Sequence, residues 1–60
     1  MKVYLVWDQQ SESEIFVHSA HLFLLDAEKA QKRLAAEYLQ GRSEEEAKAT
    51  FPIQAMEVEE

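Results

Sequence analysis

Cysteine is absent from this chain of 60 residues, which excludes disulfide staples and thiolate metal sites. Glycine and proline occur once each, so the sequence has few of the residues that force a tight turn or stop an element. Basic side chains are scarce: six Lys and Arg stand against twelve Asp and Glu, a formal net charge of -6. That balance argues against binding nucleic acid directly by phosphate neutralisation. No apolar run is long enough to span a bilayer, and the one after Met1 and Lys2 is too short for the core of a signal peptide. The expectation is a cytoplasmic protein that does not enter membranes.

What is present points to a folded chain. Hydrophobic residues make up 47% of it, too many for a disordered acidic tail. Its length predicts a single domain, residues 1–60, and a domain of this size buries only about 60% of the surface its unfolded chain exposes. Stability is therefore thin, and anything that covers further apolar surface adds to it.

Lys2-Val3-Tyr4-Leu5-Val6-Trp7 is the stretch around which the rest is arranged. Its β-branched, aromatic and large apolar residues suit a pleated surface. Val3, Leu5 and Trp7 point one way while Tyr4 and Val6, also apolar, point the other, as in an inner strand. Asp8 to Ser13 is polar and reads as a hairpin loop; without glycine a tight two-residue turn is not expected. Glu14 to Ser19 predicts a second, antiparallel strand. Ala20 to Leu25 either prolongs that strand or forms a buried connection, and its large apolar residues require cover.

Asp26 is a good N-cap, with Leu25 placed for a hydrophobic staple, and residues 27–39 are rich in helix formers. Ala27, Ala30, Leu34 and Tyr38 form one apolar stripe, and Gly41 is placed to end the helix. Ser43 followed by Glu44, Glu45 and Glu46 is a capping-box pattern that opens a short second helix. Pro52 ends that segment and cannot sit inside a central strand, so the third strand, Ile53 to Glu59, belongs on an edge. The fold class is α+β: a three-stranded antiparallel sheet in the order 2-1-3, with one main helix on one face. The other face then carries uncovered apolar residues, expected to be Tyr4, Val6 and Phe16 together with Met56 or Val58.

The Lys2 to Trp7 opening, the helix beginning Asp26-Ala27-Glu28-Lys29-Ala30 and the ending from Phe51-Pro52-Ile53 to Glu57-Val58-Glu59 together resemble small uncharacterised ββαβ proteins of bacteria and phages. In smallness, acidity and lack of cysteine the chain is also similar in type to phage inhibitors of host defence, among them anti-CRISPR proteins that imitate DNA. The first resemblance implies no catalytic residues. The second implies a protein partner in the cytoplasm of a bacterial host.

Charge supplies the main candidate site. Residues 1–25 carry -2, residues 26–42 carry +1 and residues 43–60 carry -5. Asp8, Glu12 and Glu14 near the hairpin, Glu44, Glu45 and Glu46 at the second helix, and Glu57, Glu59 and Glu60 at the end are the candidate partner-binding acids. On one strand, Glu57 and Glu59 stand about 6.6 to 6.8 Å apart. Such charges suit a basic nucleic-acid-binding surface of another protein; they equally serve as a solvated coat. His18 and His21 share a face only if helical, with Glu14 as a third ligand; on a strand their odd spacing separates them, so no metal and no cofactor are expected. Ser19 beside His18 lacks an acid and an oxyanion site, and catalysis is not expected. Two functions follow: a non-enzymatic inhibitor that presents its acids to a basic nucleic-acid-binding surface as a DNA mimic, or a small module that dimerises through its open sheet face. The oligomeric state is left as monomer or homodimer.

Overall fold

The structure, a computed structural model, describes residues 1–40 and 43–59. Five elements follow in order: β1 (Lys2–Ser11), β2 (Glu14–His21), α1 (Leu24–Tyr38), α2 (Glu44–Thr50) and β3 (Ile53–Glu57). The strands form one antiparallel sheet in the order β2-β1-β3. The α+β architecture, the central first strand and the short second helix all agree with the sequence reading.

Local departures have local causes. β1 runs on through the polar residues to Ser11, leaving only Glu12 and Ser13 between the strands. The ladder tolerates this through an irregularity between Asp8 and Ser11 on β1. There the Asp8 carboxylate accepts from the Gln10 backbone N–H and from Gln10 Nε2, both at 3.0 Å. Side-chain partners thus replace the ladder where it breaks, and a short connection forms without glycine. A second irregularity places Val6 opposite Ser19 but Trp7 opposite Val17, so that His18 is the extra residue of a bulge in β2.

Helix α1 begins earlier than the N-cap chemistry suggests. Phe23 occupies the N-cap with no side-chain hydrogen bond, and Asp26 lies inside the first turn, its N–H donating to the Phe23 carbonyl at 3.1 Å. A carboxylate still gains from the positive helix end there, and Leu24 and Leu25 are good helix formers. Helix α2 follows its sequence signature: Ser43 is the N-cap and its Oγ accepts from the Glu46 N–H at 3.4 Å. Gly41, expected to terminate α1, lies outside the described residues; the described C-cap is Leu39, whose N–H donates to the Ala35 carbonyl at 2.7 Å.

The core is Val6, Ala27, Leu34 and Phe51, with Tyr4, Ala30, Leu39 and Ile53 packed against it. Phe51, immediately after α2, is fully buried and meets the Tyr38 ring at a centroid distance of 6.3 Å. Gln31 is a buried polar residue beside this core, donating from Nε2 to the Phe51 carbonyl at 2.8 Å. The Pro52 carbonyl accepts from the Trp7 N–H at 2.9 Å, so proline stands just ahead of β3, where a missing N–H does no harm.

These contacts fix which sheet face is covered. Val6 is wholly buried under the helices, flanked by Ser19 and Ile53, and Tyr4 packs on the same side. The expectation that Tyr4 and Val6 lie on the open face is therefore reversed. Alternation places Val3, Leu5 and Trp7 there instead, with Val17 and Ala20 beside them on β2 and Gln54 and Met56 on β3.

Candidate protein-docking surface

The acidic residues do not form one row. Asp8 is only 6% exposed and its carboxylate is engaged with Gln10, so it faces the covered side of the sheet and not a partner. Glu12 and Glu14 stand exposed at the hairpin. Glu57 and Glu59, also exposed, lie at the other end of β1, where Glu57 is opposite Lys2 and accepts from the Met1 ammonium at 3.3 Å. The ten residues of β1 separate these two groups by about 30 Å. Glu44, Glu45 and Glu46 occupy the exposed first turn of α2. Glu60 lies outside the described residues.

Between the two acidic ends stretches the open sheet face. Trp7 Nε1 donates to Gln54 Oε1 at 3.0 Å, a contact across strands. Around Val3, Leu5 and Trp7, Val17 is 40% exposed and Met56 47%. Ile15, two residues before Val17, shares its side of β2 and is exposed as well. Both helices are used up on the opposite face, and among the described residues no element lies over this one. An apolar centre with charged ends is the anatomy of an interface.

A second apolar surface escaped the sequence reading. Leu22, Phe23, Leu24 and Leu25, expected to be covered, form an exposed corner between β2 and α1, with Phe23 at 68%. Phe16 is exposed on the helix-bearing side, opposite Asp8. Phe16 thus remains an apolar surface residue, though on the other side from Trp7.

The histidines take separate tasks. His18 is the bulged residue and is exposed; His21 Nε2 and Ser19 Oγ lie 2.9 Å apart on the covered side. Among the described residues no three His, Cys, Asp or Glu side chains are grouped to hold a metal ion. A groove of about 880 Å³ runs between α1 and α2, lined by Leu24, Ala47 and Ile53 together with Glu28, Lys32, Glu44 and Lys48. Its equal complement of acids and bases gives it no preference for one sign of charge. No described helix is long and apolar enough to cross a membrane. No protein-family model, no curated protein and no solved structure matches the chain.

Proposed function

We propose that this chain is a non-enzymatic protein-binding inhibitor that docks through the open face of its sheet. The observation that carries the reading is that face: Val3, Leu5, Trp7, Val17 and Met56 share one unoccupied side of the sheet. Monomeric proteins rarely leave contiguous apolar patches of this kind without a partner. The acids at its two ends, Glu12 and Glu14, and Glu57 and Glu59, favour a partner whose own surface is basic. A basic nucleic-acid-binding surface of a bacterial defence complex fits that description, with the chain occupying it in the manner of anti-CRISPR inhibitors. Spaced carboxylates supply attraction and orientation, and the apolar centre supplies most of the affinity.

The test is capture of partners from a bacterial lysate, purification of the protein recovered, and titration with variants. Met56→Glu places a charge in the apolar centre and is expected to weaken binding about tenfold or more, some 1.4 kcal/mol. Glu57→Lys combined with Glu59→Lys should weaken it mainly at low salt, because exposed charges are screened as salt rises. Equal affinity of Met56→Glu and the parent would show that the open face is not the docking surface.

A further inference from the structure

The free edge of β2 is a different surface from the open face, and its features select a specific occupant. β2 is eight residues long, Glu-Ile-Phe-Val-His-Ser-Ala-His, and it borders only β1. It contains neither lysine nor proline, two of the residues that commonly blunt a sheet edge; the bulge at His18 is the edge-blunting feature it does have, and it falls in mid-strand. The other edge is protected: β3 has five residues, follows Pro52 and ends at Glu57, which is tied to the Met1 ammonium. Unpaired edges of the first kind are templates for another strand.

Surface area indicates how much is left to cover. The molecule measures 40 × 26 × 15 Å, a slab little thicker than one sheet and one helix layer. It exposes 4626 Å². A folded monomer of 7.0 kDa is expected to expose about 4,000 Å², leaving an excess of about 600 Å². A stable protein pair buries about 800 Å² on each partner, so the excess is of the size that one such contact removes.

Charge and shape then point to the chain itself. Glu14 is the only formally charged residue of β2. The strongly acidic segment, residues 43–60, contributes α2 and β3, and β3 forms the opposite edge. Two copies meeting at β2 therefore keep their acidic segments apart. β2 has exposed Phe16 on the helix-bearing side near its start, and the exposed Leu22 to Leu25 corner just beyond its end, where the chain turns into α1. Antiparallel pairing about a twofold axis brings the start of one β2 beside the end of the other, so each Phe16 approaches the other copy's corner. Within one copy the two apolar groups lie at opposite ends of the strand; across the pair they become neighbours.

We propose that a second copy of this chain pairs antiparallel with β2 about a twofold axis near His18, forming a six-stranded sheet with Phe16 of each copy against the Leu22 to Leu25 corner of the other. The bulge falls at the axis, where Val17 and His18 of the two copies meet, leaving Glu14–Phe16 of each copy to run along Ser19–His21 of its mate. The open faces of the two sheets then join into one continuous surface.

Sedimentation equilibrium over a wide concentration range tests this on the full chain, together with Phe16→Lys, Leu25→Lys and Met56→Glu. The parent and Met56→Glu should dimerise alike, since Met56 lies on β3 and the open face. Phe16→Lys and Leu25→Lys change exposed side chains and should retain the far-ultraviolet circular dichroism of the parent. Each enters a twofold contact twice, so the dimer dissociation constant should rise at least about tenfold. Hydrogen exchange should show protected β2 amides in the parent that become labile in Phe16→Lys. A parent that stays monomeric throughout overturns the proposal. So does a dimer that tolerates both lysines and leaves β2 amides labile, or one that Met56→Glu alone dissolves. These outcomes are separate from the partner-binding test, in which Met56→Glu is the damaging change.

Discussion

Phe51 carries more of this fold than any residue on the central strand reveals. It is wholly buried, its carbonyl accepts from Gln31, and its ring meets Tyr38. Phe51→Ala removes a core aromatic, a change that costs about 3–5 kcal/mol. A chain of this length holds only about 3–9 kcal/mol in total. The variant should therefore lose most of its cooperative thermal transition by circular dichroism, whereas Tyr38→Ala, at a position 53% exposed, should lose about 1 kcal/mol. The sequence pointed to Phe51 only as the residue before a proline. Val6 shows the same limit: with apolar residues on both sides of the strand, alternation divides it into two faces but does not say which one the helices cover. That choice is made by Ala27, Leu34 and Phe51, which are remote from Val6 in the chain. Gln31 was hidden because a polar residue within a helical stripe reads as solvated unless its acceptor, here a backbone carbonyl, is known.

At the scale of elements, the segments with internal chemical signals were legible and those depending on neighbours were not. Ser43 and Glu46 announce α2, and the structure contains the Ser43 Oγ contact to the Glu46 N–H. Ser43→Ala should destabilise the chain by about 0.5–1 kcal/mol in urea unfolding, at the lower end of capping effects because the contact is long and exposed. No loss in such an experiment would mean that the cap contributes nothing. The hairpin and the start of α1 were shifted because other groups took over the expected roles. Asp8 serves the irregular ladder and not a partner, and Phe23 occupies the N-cap position expected for Asp26. The Leu22 to Leu25 run was expected to prolong β2 or to form a buried connection, with its large apolar residues under cover. A chain this short has too few elements to cover it.

Among the described residues, one layer of helices on a three-stranded sheet leaves three apolar surfaces to solvent: the open face, the β2 edge and the β2–α1 corner. The acidic excess was plain from composition, but its distribution was not. The carboxylates occupy both ends of β1 and the first turn of α2, so the spaced acids expected of a partner-binding surface frame an apolar face. In the proposed function the apolar centre supplies affinity and the acids supply orientation. If the proposed function holds, the chain occupies a surface its partner otherwise uses for nucleic acid. The direct measurement is displacement of a labelled nucleic acid from the captured partner as this chain is added, with Met56→Glu alongside. The parent should displace the nucleic acid completely, and Met56→Glu should require about tenfold more protein to do so. Nucleic acid and chain bound to the partner together, neither weakening the other, would contradict the proposed function.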